Sequence, residues 1–313
     1  MTDTPVRPEA RPQEPAPAKA GLSEIAAQIP DRHVPRRIGP RVARVGRHVA
    51  LIAFGLVMLY PLLWMLASSF KPTELIFREP GLLPTEWDFT NYTEGWNALL
   101  HPFHHYLLNS ALVVLGSVIG NLVSCSMAAY AFARLKFRGR GIWFAVMLMS
   151  IMLPIHVVIV PQYILFSSLE WINTFLPLIV PKILATDAFF IFLMVQFFRG
   201  IPKELDEAAR LDGCGHGRIF LRIMLPLSLP ALATTAIFTF IWTWNDFFSQ
   251  LIFLTRPDMY TVPIALRTFV DATSNSSWGP LFAMSIVSLV PVFVIFLFGQ
   301  KYLVKGIATT GIK

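Results

Sequence analysis

Charge is scarce in this chain. Only 14% of its 313 residues are Asp, Glu, Lys or Arg, against about a quarter in an ordinary soluble domain. Apolar residues make up 55% and the mean hydropathy is +0.58, which excludes a simple soluble globule. Cysteine is equally sparse. Cys125 lies in an apolar run and Cys214 in a polar loop, so they sit at different depths, and neither a disulfide nor redox chemistry is expected. No Walker-type phosphate loop, no His or Cys pair at metal-ligand spacing and no nucleophile signature is present. No catalytic residue, metal site or cofactor site is therefore expected in this chain. A net charge of +7 points at first sight to nucleic acid. The basic residues, however, lie between apolar runs, a placement that argues for membrane topology and against a nucleic-acid partner.

Six apolar runs are present, at about 49–70, 105–132, 141–166, 175–198, 229–254 and 281–303, each near or above the ~20 residues that cross a hydrocarbon core. Backbone groups in lipid must be satisfied internally, so the expectation is an all-α, polytopic membrane protein with six transmembrane helices. Residues 1–45 read differently: eight prolines and a crowd of arginines from Arg32 to Arg44 predict a disordered cytoplasmic tail ahead of a transmembrane domain over 46–313. The tail is too long for the charged segment of a cleaved leader, so the first run stays as an anchor. The loops alternate in basic content. One side carries the tail, then Arg134, Lys136, Arg138 and Arg140, then Arg199, Lys203, Arg210, Arg218 and Arg222, then Lys301, Lys305 and Lys313. The other carries only Lys71, Arg78, Arg256 and Arg267. This places both termini and the 199–228 loop in the cytoplasm.

Ionisable and amide side chains at membrane depth are candidates for function because they are costly there. His156, between Pro154 and Pro161, is expected to satisfy a carbonyl freed by a kinked third span. Lys182 and Asp187 fall on different faces of an uninterrupted helix, so a simple pair is not expected. Asn109 and Asn121 in the second span, and Trp244, Asn245 and Asp246 in the aromatic cluster Trp242–Phe248, are candidates to line a translocation path. Aromatic faces beside amide and carboxylate groups suit sugars, and the same groups suit packing through interhelical hydrogen bonds. The aromatics Trp87, Tyr92, Trp96, Tyr260 and Trp278 in the long outer loops fit either headgroup anchors or a surface for a soluble partner.

The most informative stretch is polar: Lys203-Glu204-Leu205-Asp206-Glu207-Ala208-Ala209-Arg210-Leu211-Asp212-Gly213, then Ile223-Met224-Leu225-Pro226. Pro202 suits a first helical position. Leu205, Ala208 and Ala209 give a narrow apolar stripe, with Lys203–Glu207 and Asp206–Arg210 facing at i,i+4 on the wet side. Gly213 supplies a left-handed residue to end the helix. The small-residue face reads as a docking surface, and a linker helix lying against its own membrane domain fits the same pattern.

Glu207-Ala208-Ala209, three residues, Gly213, nine residues, then Ile223-x-Leu225-Pro226 resembles the EAA loop of permease subunits of binding-protein-dependent ABC importers. The likeness runs from about residue 50 to the C-terminus. Tyr60-Pro61-Leu62-Leu63-Trp64, Ala129-Tyr130-Ala131-Phe132-Ala133-Arg134, Trp244-Asn245-Asp246-Phe247 and Gln300-Lys301-Tyr302-Leu303-Val304-Lys305-Gly306 are similar to the smaller permease of carbohydrate importers of the maltose type. The resemblance implies that this chain pairs with a second, different permease over a dimer of ATPase subunits. Those subunits would bind ATP and Mg, and an extracytoplasmic binding protein would deliver a sugar or sugar-like solute. It further implies that Glu207, Ala208, Ala209, Arg210, Gly213, Leu225 and Pro226 couple to the ATPase, and that a tail from about Val304 to Lys313 inserts between its subunits. The end of that tail, Thr309-Thr310-Gly311-Ile312-Lys313, is bulkier than the glycine-rich tails of the family. A permease for a polyol, glycerophosphate or peptide, and a self-sufficient secondary transporter or channel, are the competing readings.

Overall fold

The structure is a computed structural model that describes residues 40–270 and 277–308. The described residues are helical with no strand, as six apolar runs require. The chain divides into two units, residues 1–59 and 60–313. The described part of the first is helix α1, Pro40–Ser68, which continues across the boundary. The expected tail over 1–45 is corrected at its end, since 40–45 are helical. Its remainder lies outside the described residues.

The second unit is built around one long helix, α3, Phe103–Arg134, which follows the short α2, Thr90–Asn97. Helices α6 (Leu176–Ile183), α7 (Ala188–Gly200) and α11 (Leu229–Trp244) all pack on α3. Its buried face, running through Phe103, Tyr106, Ser110, Val113, Ser117, Gly120, Asn121 and Cys125, keeps the three-and-four spacing of a helix stripe. That stripe is mostly small and polar, which is how helices associate in lipid, where apolar area gives no preference for protein over solvent. Gly116 and Gly120 let α6 approach. A Cβ on Gly120 would lie 2.7 Å from Ile183 Cγ1 and 3.2 Å from the Ile183 backbone nitrogen. The short α13, Val262–Arg267, packs on α3, and α14, Trp278–Ala308, packs on α2 and α11.

Among the described residues four helices are long and apolar enough to cross a membrane, and up to six spans result when each of two bent pairs counts as one. The third span is such a pair: α4 (Arg140–Ser150) and α5 (Ile155–Ser168) meet at 101° across a turn ending in Pro154. The fifth differs from the expected 229–254. It bends by 77° at Ser228, and α11 ends before Asn245, with α12 restarting at Phe248–Phe253. The fourth is interrupted between α6 and α7, where Ala185 takes φ 57°. At the C-terminus α14 runs on to Ala308, so the expected tail is helical over 304–308, and 309–313 lie outside the described residues.

Candidate functional site

The loop between α7 and α11 holds α8, Glu204–Leu211. Pro202 stands two residues ahead of its first turn rather than in it. The other end is as expected: Gly213 takes φ 77°, the Gly213 amide donates to the Arg210 carbonyl at 3.0 Å and the Cys214 amide to the Ala209 carbonyl at 2.9 Å. These are the two bonds of a Schellman ending. The following turn, α9 (His216–Ile219), passes through one widened turn, Phe220–Met224, into α10, Leu225–Leu227. Leu225 is half-buried there and Pro226 exposed.

The helix is held by its other face. Asp206 is buried, not on the wet side. Its Oδ2 lies 3.4 Å from Arg134 Nε, both side chains nearly sealed from solvent. Arg134, the last residue of α3, also donates from Nη2 to the carbonyls of Phe198 (2.8 Å) and Ile201 (2.6 Å) at the end of α7. One guanidinium therefore fastens α8 to two spanning segments, which the five donors of arginine permit and a lysine would not. Ala209 packs beside it in the core with Ile201, Ile219 and Met224. Around the pair opens a polar cleft of about 470 Å³ rimmed by Lys136, Arg140, Lys203, Glu207, Arg210 and His216. Tyr130 Oη and His216 Nδ1 lie 3.2 Å apart at its back.

The expected apolar stripe splits. Ala209 faces inward, whereas Leu205 and Ala208 face outward. Leu211 joins them at 90% exposure, because residues three apart share a helix face. The outward face is a row of Leu205, Ala208 and Leu211 beside Glu204 and Glu207. The helix is thus anchored by one side and carries a short exposed apolar row on the other.

The residues proposed to line a path are dispersed. Asn121 is fully buried. It donates to Thr239 Oγ1 at 2.8 Å and accepts from Cys125 Sγ at 2.9 Å. Trp244 is buried and stacks on Phe240 with centroids 5.6 Å apart. Asn109 donates to the carbonyls of Asp258 (3.1 Å) and Tyr260 (2.9 Å). Asn245 is exposed and donates back to Ile241 O at 2.8 Å, and Asp246 accepts from the Ser249 amide at 3.1 Å, starting α12. The structure brings Trp244, Asn245 and Asp246 to one helix end, and leaves Asn109 and Asn121 elsewhere. Among the described residues His156 meets no carbonyl. Its ring lies against Phe248 at 4.8 Å.

Two features escaped the sequence reading. Lys182 and Asp187 do pair, Nζ reaching both carboxylate oxygens at 3.0 and 2.9 Å. The face argument assumed a continuous helix, and the break at 184–187 removes that assumption. The other is Lys71, which is buried and donates to the carbonyls of Glu79 and Gly81, both at 2.6 Å. Asn91 braces the same segment through the carbonyls of Ser69 (3.1 Å) and Lys71 (2.8 Å). The 71–104 loop is thus a folded cap, with Phe70 packed among Trp87, Phe89 and Tyr92.

Comparison with known proteins places this geometry. The chain is 36% identical over 289 residues, 91% of its own length and 95% of the relative's, to "Probable ABC transporter permease protein YurM" of Bacillus subtilis. It is 32% identical to "Diacetylchitobiose uptake system permease protein NgcG" of Streptomyces coelicolor, covering 83% of this chain and 86% of that one. Its fold matches, with a TM-score of 0.74 at 24% identity over 84% of this chain and 97% of the other, a chain from the "Crystal structure of a bacterial ABC transporter involved in the import of the acidic polysaccharide alginate". The profile described as "Binding-protein-dependent transport system inner membrane component" matches residues 120–309, a stretch that holds α8, its Arg134 anchor and the outward leucines, and the chain belongs to that family.

Proposed function

We propose that this permease forms part of the path by which an ATP-driven importer admits a sugar or sugar-like solute. An extracytoplasmic binding protein hands the solute over, and a second, different permease completes the path. ATP and Mg are bound by a separate ATPase dimer on which the outward face of α8 sits, with Glu207, Ala208, Ala209, Arg210, Gly213, Leu225 and Pro226 forming or backing that contact. Both termini and the 199–228 loop lie in the cytoplasm of a bacterial or archaeal cell, and residues 46–313 form the transmembrane domain. The saccharide reading draws on the substrates named for a relative and for the structural neighbour and on the aromatic-rich spans.

One observation carries the coupling reading: α8 is fixed to the ends of α3 and α7 by the buried Arg134–Asp206 contact while Leu205 and Leu211 stand exposed on its other side. A short rod held this way cannot yield to a push on its outer face without moving the spans above it. Closure of an ATPase dimer against it then becomes a rigid-body displacement of the transmembrane helices. Lys203, Glu207 and Arg210 on the cleft rim set the charge pattern that a docking groove must match.

Two substitutions test the reading. Gly213→Pro cannot adopt φ near 77°, because proline is locked near −65°, and Glu207→Lys reverses a rim charge without touching the core. Both are expected to abolish solute uptake in membrane vesicles while the protein remains inserted and the ATPase dissociates on purification. Normal ATP-driven uptake by either variant contradicts the docking surface.

A further inference from the structure

The break between α6 and α7 lies in the middle of the fourth span, about eight residues from one end and thirteen from the other. Its backbone is secured from behind by α3. Ser124 Oγ donates to Lys182 O at 2.7 Å and Cys125 Sγ approaches Asp187 O at 3.8 Å. Thr186 Oγ1 donates to Pro181 O at 2.9 Å. The front is open: the Lys182 and Asp187 side chains keep 29% and 22% of their exposure, and Thr186 is exposed. Beside it stands Trp242, half exposed, its ring 5.6 Å from Phe189 and 5.0 Å from Phe190 on the first turn of α7.

An open ion pair at membrane depth is unstable against lipid, and interrupted helices in membranes occur where they line a cavity or meet protein. The chemistry of this opening is specific. An ammonium and a carboxylate about 3 Å apart present a donor beside an acceptor, which matches two neighbouring hydroxyls, each both donor and acceptor. The Trp242 face offers an apolar platform for the C–H side of a ring. A solute of fixed charge would pair with one member and strand the other, so a neutral polyhydroxylated ring is the better fit.

We propose that Lys182, Asp187 and Trp242 form a transit site that contacts hydroxylated, uncharged saccharide units passing through this permease. The proposal rests on the importer reading and adds where in the chain the solute is met. Lys182 and Asp187 separate slightly to accept the hydroxyl pair and re-pair once it leaves, so the site holds solute weakly and releases it, as a path requires. The aromatic–carboxylate grouping expected around Asn245 and Asp246 is supplied instead by Trp242 and Asp187, because the former pair is occupied at its own helix ends.

The test uses the assembled transporter, with its ATPase, second permease and binding protein, in proteoliposomes. Uptake is read on a panel of labelled neutral di- and oligosaccharides. Lys182→Met/Asp187→Leu removes both charges together with the donor and the acceptor and leaves no lone charge, and Trp242→Leu removes the platform. Each is expected to raise the uptake KM about tenfold or more while binding-protein-stimulated ATP hydrolysis persists, the signature of lost solute contact rather than lost coupling. Thr186→Cys, probed with a membrane-impermeant maleimide during turnover, is expected to label, and to label more slowly at saturating saccharide. Unchanged KM in both variants overturns the site. So does a Thr186→Cys thiol that never labels, which would mean that the second permease covers the pair, or one whose labelling ignores saccharide. If the unmodified transporter moves nothing on the panel, the saccharide reading itself fails, and the site with it.

Discussion

The two ends of α3 are fastened by different chemistry. At the Arg134 end the fastening is ionic and buried: one guanidinium, a carboxylate from α8 and two carbonyls from the end of α7. At the Phe103 end it is made of hydrogen bonds over buried apolar packing, with Phe103, Tyr106, Val262 and Ala265 in one core cluster. Asn109 and His105 reach the carbonyls of Asp258 and Tyr260, and Ser110 Oγ accepts from the Val262 amide at 2.9 Å. The two ends lie about 48 Å apart at 1.5 Å per residue. A buried charge contact has few alternative arrangements, since breaking it leaves a charge uncompensated. Amide-to-carbonyl bonds at a partly open surface can exchange with water at little cost. The helix is therefore held by a buried charge contact at the coupling end and by apolar packing with exchangeable hydrogen bonds at the other. That asymmetry suits an element driven from one end whose far end must shift against its surroundings.

The grip should fail hardest. Arg134→Met leaves Asp206 buried and unpaired, and losing one partner of a buried pair costs about 3–5 kcal/mol. The purified transporter should melt well below the unmodified one and hydrolyse ATP without uptake. The double variant Arg134→Met/Asp206→Leu sharpens the point. Replacing both members with apolar groups removes the lone charge but leaves the Phe198 and Ile201 carbonyls without their donor, so only part of the thermal stability should return, and uptake should stay low, because α8 is no longer joined to α7. Recovery of uptake together with stability would show that the Arg134 end does no more than pack.

The middle of α3 comes next. Gly120→Val places carbon where Ile183 Cγ1 and the Ile183 amide already stand, and overpacking of this kind costs about 1–3 kcal/mol. The added Ile183→Ala should return part of the melting temperature by clearing the side chain. The backbone contact remains, so full recovery would mean that the seam between α3 and α6 is softer than its geometry.

How much of this was legible in the sequence follows from the kind of signal each feature leaves. The spans and the ending of α8 leave periodic or stereochemical marks: runs of apolar residues, and a glycine where φ must be positive. The motif around Glu207 and Gly213 is local and was readable residue by residue. Asp206 was misplaced because i,i+4 pairing with Arg210 is the local guess, whereas its actual partner, Arg134, is 72 positions away, and only tertiary packing reveals it. The Lys182–Asp187 pair failed for a related reason. Its spacing is wrong for a helix, and nothing local marks Ala185 as the residue that unwinds it. A signal was available for the centre of the fold: Gly116-x-x-x-Gly120 with Ser117, Asn121 and Ser124 on one apolar helix is the small-and-polar pattern of a tightly packed membrane helix.

The hydrogen-bonded end gives the smallest effect and the most direct check on the asymmetry. Asn109→Ala removes two hydrogen bonds to the carbonyls of Asp258 and Tyr260, but both lie where solvent can replace the amide. The net loss should be about 0.5–1.5 kcal/mol, with faster hydrogen exchange confined to about residues 256–262 and a nearly unchanged exchange pattern in α8. Uptake should persist, because the driven end is untouched. If Asn109→Ala instead matched Arg134→Met in lost stability, or if its exchange signature spread along α3 to α8, the two ends would be equivalent and the helix a symmetric strut. A confined signature would show that motion enters α3 at Arg134 and is given freedom at Asn109.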